Sequence, residues 1–354
     1  MTLDELRKQV DQIDAQVVRL INERAKVARE IGKLKQRDNN ALYVPAREQA
    51  VYSNISALNE GPLPDACLRA VYREIMSGCL ALEKPLKVAY LGPEGTFTHA
   101  AARRKFGESV RYIGAATLDE VFAEVERGRA DYGIVPVENS TGGGIHETLT
   151  RFLSSPLKVC AEVLLEIHHA LMAKCKKEEV RKVYSRGEVL GQARCWLQQH
   201  MPEVTLSEVA STSAAAERAV AEPNAAAVGS ASLAPVHGLR VLADRIEDYA
   251  HNATRFFVLG AYMSEPTGDD KTAVLCSVRD KVGALHDLLA PFKEHGINMT
   301  KIESFPSPNA PWQYYFFIDF IGHPEREETR RALQAMEAEC VSFKVLGAFA
   351  RWEG

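Results

Sequence analysis

Between Leu3 and Lys35 the chain has no proline and a single glycine, Gly32. Apolar residues return at Leu3, Leu6, Val10, Ile13, Val17 and Leu20, then at Val27, Ile31 and Leu34, in alternating steps of three and four. This is the heptad seam of one uninterrupted helix, roughly 50 Å long at ~1.5 Å per residue. Two shorter helical patterns, 46–58 and 65–83, follow and are split by Gly61-Pro62-Leu63-Pro64. They are too little chain to cover such a helix, so the seam predicts a second copy as partner, a homodimer at minimum. Arg24 fills one seam position. A buried arginine is costly unless paired. It therefore either meets a glutamate across a helix interface or lines a pocket for an anion. Lys35, eleven residues on, returns to within ~20° of the same helix face. Arg7 lies about 100° from both, and could join them only from a partner helix.

The rest of the chain follows other periods. From 86 to 262, short apolar runs alternate with helical patterns, as in α/β folds. Lys87–Leu91, Asp131–Val137, a long run over Val159–Ala173, Ala225–Val228 and Arg255–Gly260 read as strands. Thr96–Phe106, Glu188–His200 and 211–222 read as helices. Ser264–Asp270 is a linker by composition. Residues 271–351 give strand, helix, strand, strand, helix, strand: Thr272–Val278, Val282–His295, Ile297–Ser304, Trp312–Ile321, Glu325–Glu339 and Val341–Phe349. This is a ferredoxin-like order. The expected architecture is thus multidomain: an all-α segment over 1–85, an α/β segment over 86–262 and an α+β segment over 271–351.

Of the 354 residues, 25% are charged and 46% hydrophobic, with a net charge of -4. That excludes a mostly disordered chain, and no basic field invites nucleic acid. No apolar run approaches the ~18 residues of a membrane span, and the start lacks the apolar stretch of a signal peptide. Seven scattered cysteines without a C-x-x-C pair argue against disulfides or zinc and fit a reducing cytoplasm.

Arg7, Arg24, Lys35 and Arg47-Glu48, with Ile31-Gly32-Lys33-Leu34-Lys35 and Arg73-Glu74-Ile75-Met76-Ser77, make the first segment resemble the all-helical chorismate mutases. Those are intertwined dimers whose sites borrow from both chains. The resemblance implies that Arg7 of the second copy, Arg24 and Arg47 bind the two substrate carboxylates. It implies that Lys35 donates to the ether oxygen of the breaking bond and that Glu48 accepts from the ring hydroxyl. Two positions depart from the pattern: Val44 replaces a common acid, and Glu83 stands where glutamine is frequent. A glutamate donates to the ether oxygen only when protonated, so mutase turnover is expected to fall as pH rises through the titration of Glu83.

In the second segment, Gly92-Pro93-Glu94-Gly95-Thr96-Phe97-Thr98 opens a helix and Glu138-Asn139-Ser140-Thr141-Gly142-Gly143-Gly144 follows a strand end. Ser211-Thr212-Ser213 starts another helix, and Asn252-Ala253-Thr254-Arg255-Phe256 leads into the last strand. Each alone has an ordinary explanation as a turn or an N-cap. Together they resemble prephenate dehydratase, whose two α/β lobes, similar to type-II periplasmic binding proteins, enclose a cleft. The resemblance implies that Thr254 assists departure of the ring hydroxyl. Thr96, Thr98, Asn139, Ser140, Thr141, Thr212 and Ser213 would line the cleft, Arg255 would meet a carboxylate and Phe256 would shape the wall. His99 reads as an idle helix-surface residue and His168-His169 as a structural pair. Ser185-Arg186-Gly187-Glu188 departs from a common Ser-His-Pro-Gln loop.

In the third segment, Gly283-Ala284-Leu285 and Asn298-Met299-Thr300-Lys301-Ile302-Glu303-Ser304 resemble the ACT regulatory domain. This implies a side-by-side pair with phenylalanine at Gly283, Ala284, Leu285, Asn298, Met299 and Ser304. Phe305 stands where the family commonly has arginine. The implied whole is a bifunctional enzyme of phenylalanine biosynthesis. It would convert chorismate to prephenate and prephenate to phenylpyruvate under phenylalanine control, in the cytoplasm, without cofactor or metal. The alternatives are a dehydratase preferring arogenate and a non-catalytic two-lobed amino-acid sensor.

Overall fold

The computed structural model describes residues 2–37, 43–249, 251–307 and 313–352. Helix α1 runs over Leu3–Arg37, with Asp4 and Glu5 in its first turn and Lys35 and Arg37 in its last. Both ends thereby complement the helix dipole. Its seam is uncovered within the chain: Leu6, Ile13, Val17 and Val27 are 42%, 57%, 45% and 61% exposed. Helix α2 (Pro45–Leu58) starts on Pro45, whose missing N–H costs nothing in a first turn. Helix α3 (Asp65–Glu83) packs on the C-terminal half of α1 at Gly32. A side chain there would collide with Glu83, since a Cβ on Gly32 would lie 2.5 Å from the Glu83 Cγ.

The helical segment is docked on the α/β segment. Tyr43 is buried against the rings of Phe106 and Tyr132. The Ser77 hydroxyl accepts from the Ser109 N–H (3.0 Å), and Lys84 pairs with Asp131 (2.8 Å).

Two sheets make the α/β segment. The first has the order β2-β1-β3-β11-β5, from β1 (Lys87–Leu91), β2 (Arg111–Ala115), β3 (Tyr132–Asn139), β5 (Lys158–Glu166) and β11 (Ala253–Gly260), with the short β4 (Gly143–Gly144) beside β3. β11 is antiparallel to both of its neighbours. The second has the order β10-β6-β9-β7-β8, from β6 (Ala170–Ala173), β7 (Lys182–Ser185), β8 (Thr205–Glu208), β9 (Ala225–Gly229) and β10 (Arg240–Ala243). The chain leaves the first lobe after Glu166 and returns at Ala253, so two crossovers join the lobes.

This corrects two expectations. The run Val159–Ala173 is not one strand: β5 and β6 belong to different sheets. Both ends are apolar because each is buried in its own core, and hydrophobicity alone does not mark the crossing. The helix expected over Glu188–His200 divides at Ala193 into two, Gly187–Gln192 and Arg194–His200. Asp248, from the return crossover, accepts from the N–H groups of Cys195 (2.9 Å) and Trp196 (3.0 Å), and so caps a second helix start.

The last segment is an antiparallel sheet ordered β13-β14-β12-β15: β13 (Met299–Pro306), β14 (Tyr314–Ile321), β12 (Asp270–Val278) and β15 (Cys340–Ala350). Two helices, Ala284–Glu294 and Glu327–Glu339, accompany it in the expected order. Trp312, the expected start of the third strand, lies outside the described residues. One sheet face packs on the first lobe: Ala273, Leu275, Phe317 and Phe349 share a core with Val135, Phe152 and Phe257.

Candidate functional site

In the helical segment Arg24 and Lys35 of α1 both lie against α3, Arg24 at Cys79 and Lys35 near Glu83. The Arg24 Nη1 donates to the Cys79 Sγ at 3.2 Å, and Arg24 and Lys35 are both half-buried. Burial pushes the Glu83 carboxyl above its ordinary value, against the opposing pull of Lys35. Arg7 is not there. It lies 17 residues before Arg24, about 25 Å along the helix at ~1.5 Å per residue, exposed and beside Asp4. Arg47 is exposed on the first turn of α2.

Glu48 departs most from its expected place. Its carboxylate faces the α/β segment, accepting from the Tyr43 hydroxyl and the Lys105 ammonium, each at 2.6 Å. The acceptor expected for a ring hydroxyl is thus held by a cation of the neighbouring module. Val44 occupies the N-cap of α2 and supplies only its carbonyl, which accepts from the Glu48 N–H (3.1 Å).

In the α/β segment the residues converge at the crossovers. Thr254 lies opposite Asn139 in the β3–β11 ladder. The Asn139 Nδ2 donates to the Thr254 hydroxyl and to the Asn252 Oδ1, both at 2.9 Å. Its Oδ1 accepts from the Thr141 hydroxyl (2.6 Å) and from the N–H groups of Thr141 and Gly142 (both 3.0 Å). One amide thereby shapes the polar loop and fixes the Thr254 hydroxyl. Ser140 ties the same loop to the return crossover, donating to the His251 carbonyl (3.1 Å) and accepting from the Ala253 N–H (2.9 Å).

The opposite lobe contributes Gln192, which sequence reading passed over as part of a helix pattern. Its Nε2 donates to the Thr141 hydroxyl (3.0 Å), and its Oε1 accepts from the Asn252 amide (3.1 Å) and from the His169 Nε2 (2.7 Å). Because the amide oxygen only accepts, His169 carries its proton on Nε2. Burial holds its pKa below the ordinary value, which favours the neutral ring. His169 is thus structural, as expected, but its role is to orient Gln192. Its neighbour His168 pairs with Glu247 (2.7 Å). Both histidines stand in the crossover between β5 and β6 rather than in a strand.

At the helix starts, Thr96 caps α4 (Phe97–Phe106), accepting from the His99 N–H (3.3 Å). Thr98 is buried. Gly95 has φ +84°, which favours glycine, and a side chain on it would meet Leu233 of the other lobe. The Ser232 hydroxyl of that lobe donates to the Gly95 carbonyl (2.9 Å). His99 is not on the surface. It is buried, stacked on Tyr90 at 4.7 Å, with its Nδ1 accepting from the Gly95 N–H (3.2 Å). In the helix Thr212–Ala221, Thr212 packs on Gly229 and Ser213 meets the His237 Nε2 (3.3 Å). Ser185 is buried on the Val228 carbonyl (2.6 Å), while Arg186 and Glu188 pair with each other in solvent.

Arg255 and Phe256 are corrections. Thr254 and Arg255 are strand neighbours and take opposite faces. The Arg255 guanidinium is buried beneath the ferredoxin-like sheet, paired with Asp319 of β14 and with Glu162 (2.7 Å). Burial raises the Glu162 carboxyl, but Arg255 and Lys271 outweigh that and hold it below its ordinary value. The carboxylates that Arg255 meets are the protein's own. Phe256, 1% exposed, belongs to the core beneath the first sheet with Tyr90 and Phe106 rather than to a cleft wall.

The expected effector residues face outward. Gly283 has φ +81° at the N-cap of its helix, and Leu285, Asn298 and Ser304 are exposed. Met299 and Ala284 are half-buried. Phe305 points the other way, 1% exposed and stacked with His146 and Tyr315. Lys301 and Glu303, on the same face, reach the polar loop: Lys301 pairs with Glu138 (2.7 Å), and Glu303 accepts from the Gly144 N–H (3.1 Å) and pairs with His146 (3.0 Å).

Two crossovers, a threonine–asparagine pair where they meet the first sheet and a ferredoxin-like sheet clamped on one lobe define a two-lobed enzyme with an attached ferredoxin-like module. Comparison with known proteins agrees over the whole length. Family models match for "Chorismate mutase type II" at residues 6–84, "Prephenate dehydratase" at 88–264 and "ACT domain" at 272–338. The bifunctional chorismate mutase/prephenate dehydratase of Aquifex aeolicus is 45% identical over 99% of this chain and 98% of its own. That of Pseudomonas aeruginosa is 43% identical over the same shares. The crystal structure of prephenate dehydratase in complex with L-Phe from Arthrobacter aurescens superposes with a TM-score of 0.70 at 31% identity, covering 75% of this chain and 90% of that one. The chain belongs to the bifunctional chorismate mutase/prephenate dehydratases.

Proposed function

We propose that the Arg24–Lys35–Glu83 cluster and the Thr254–Asn139–Gln192 network are the centres of the two reactions. The enzyme rearranges chorismate to prephenate, then converts prephenate to phenylpyruvate with loss of carbon dioxide and water, in phenylalanine biosynthesis. The first step is pericyclic and needs no nucleophile. Fixed cations hold the dianion compact and place donors at the ether oxygen as charge develops there. Arg24, Arg47 and Arg7 of a second copy take the carboxylates, while Lys35 and protonated Glu83 donate to the ether oxygen. The uncovered α1 seam supports the homodimer that this requires.

In the second step the C–CO2 bond electrons enter the ring as the ring hydroxyl leaves. Thr254, oriented by Asn139, donates a hydrogen bond to that departing oxygen. A threonine hydroxyl is a poor free acid, so its contribution is positional and electrostatic. Thr96, Thr98, Ser140, Thr141, Thr212 and Ser213 shape the cleft around it.

Phenylalanine binds between ACT modules paired along the open β13 edge, at Gly283, Ala284, Leu285, Asn298, Met299 and Ser304. Lys301 and Glu303 connect that edge to the loop carrying Asn139. The enzyme works in the cytoplasm, and among the described residues no helix is long and apolar enough to cross a membrane.

The observation that carries this reading is the in-register Thr254–Asn139 pair at the lobe crossovers. Loss of chorismate absorbance followed by an alkaline phenylpyruvate signal tests it. A chain producing neither, or responding to no phenylalanine at millimolar concentration, refutes the corresponding part.

A further inference from the structure

Four side chains at the crossovers close into a ring. The N–H groups of Thr141 and Gly142 can only donate, and both meet one end of the Asn139 side chain (3.0 Å each). That end is therefore the carbonyl, and the other is the NH2 group. The Asn139 Nδ2 donates to the Asn252 Oδ1 (2.9 Å) and the Asn252 Nδ2 to the Gln192 Oε1 (3.1 Å). The Gln192 Nε2 donates to the Thr141 hydroxyl (3.0 Å), and that hydroxyl donates back to the Asn139 Oδ1 (2.6 Å). All four bonds run in one sense, and turning any one amide over would set donor against donor or acceptor against acceptor. Bonds chained head to tail in this way polarise one another. His169 holds the Gln192 amide in the same orientation, its Nε2 donating to the Oε1 at 2.7 Å.

The ring has one exit. The second hydrogen of the Asn139 NH2 goes to the Thr254 hydroxyl oxygen (2.9 Å), so the Thr254 proton is turned away from Asn139, and among the described residues no acceptor takes it. The ring also spans the fold. Asn139 and Thr141 belong to the first lobe, Gln192 to the second and Asn252 to the return crossover. Asn252 is 3% exposed, and its carbonyl accepts from the Ile167 N–H of the outward crossover (2.8 Å). Separating the lobes would withdraw Gln192 and open the ring. We propose that Asn252 is a positioning residue for the dehydratase step: through the ring that it closes with Gln192 and Thr141, it aims the Thr254 hydroxyl at the departing oxygen, and does so only when the lobes are together. This rests on the reading of Thr254 as the donor to that oxygen.

Turnover of prephenate by the full-length enzyme tests this. Asn252→Leu keeps the volume and removes the amide, and Thr141→Val removes the ring hydroxyl at an exposed loop position. Each is expected to lower dehydratase kcat about ten- to hundredfold while KM stays within about threefold. Thr141→Ser keeps a hydroxyl and should return kcat to within about threefold of the parent. In a Thr254→Ala background nothing is left to aim, so Asn252→Leu and Thr141→Val should each cost no more than about twofold further. Should Asn252→Leu unfold, the exposed Thr141 pair decides. Full kcat in the single variants, a raised KM with kcat kept, or the same loss in the Thr254→Ala background overturns the proposal while leaving Thr254 in its role. Thr254→Ala turning over as fast as the parent overturns the underlying reading, and the ring's purpose with it.

Discussion

Along α1 the apolar seam is left open, with Ile13 57% and Val27 61% exposed, whereas along β11 no residue from Thr254 to Leu259 exceeds 8%. The two centres proposed for one chain thus stand in different settings. In the proposed mutase centre Arg24, Lys35 and Glu83 lie along the packed half of α1, but two further cations stand exposed, Arg7 far along the uncovered helix and Arg47 on α2. The dehydratase network is closed within a single chain, because two lobes and two crossovers bring Asn139, Gln192, Asn252 and Thr254 into one set of hydrogen bonds. The centre proposed on the long helix is left open by its own chain, while the one proposed at the crossovers is closed by the chain's own connections.

The strongest way to break this comparison is to remove one group from each centre. Arg24→Ala is expected to lower mutase turnover about 10²–10³-fold and leave the dehydratase untouched, and Thr254→Ala should do the reverse. Coupled loss of both activities in either variant would contradict two independent centres. Ile13→Glu places a charge in the seam. It should dissociate the proposed dimer in sedimentation and lower mutase kcat/KM about ten- to hundredfold, the worth of one charged contact, with the dehydratase reaction largely kept.

Arg255→Ala sharpens the second half. It leaves Glu162 and Asp319 buried with less cation to face, and should cost about 3–5 kcal/mol in urea unfolding without raising KM for prephenate. A raised KM with unchanged stability would return Arg255 to the substrate.

Glu83 gives a pH signature. Its carboxyl is raised by burial, and only the protonated form donates. Mutase kcat should therefore fall as pH rises through its titration, and Glu83→Gln should flatten that limb. A profile unchanged by the substitution removes Glu83 from the mechanism. The smallest effect on mutase turnover is expected of Lys105→Ala, which releases Glu48 while leaving Arg24, Lys35 and Glu83 in place, and should change mutase kcat/KM by no more than about fivefold, under about 1 kcal/mol.

Much of the fold was legible because its signals are local. The heptad seam, the β-α-β-β-α-β order and the helix starts at Thr96 and Ser211 each rest on neighbours within a few residues. What local reading missed depends on distant chain. Val159–Ala173 reads as one strand because both halves are buried, and only the two cores show that it crosses between lobes. Gln192 carried no signal of its own, since an amide on a short helix looks the same in solvent as in a cleft. His99 was misread because its helix face meets Tyr90 rather than water.

The sequence by itself determined the three modules, their order and the residue types that can hold a doubly negative ring compound. Repeat periods and turn chemistry act over a few residues, and so do the motifs. Tertiary structure decided which charges face a ligand and which face each other. Arg255 and Glu48 show it most plainly. A side chain's charge is set by its type, but its partner is set by whatever the fold brings within hydrogen-bonding distance. Here that was Asp319, 64 residues beyond Arg255, and Lys105, 57 beyond Glu48.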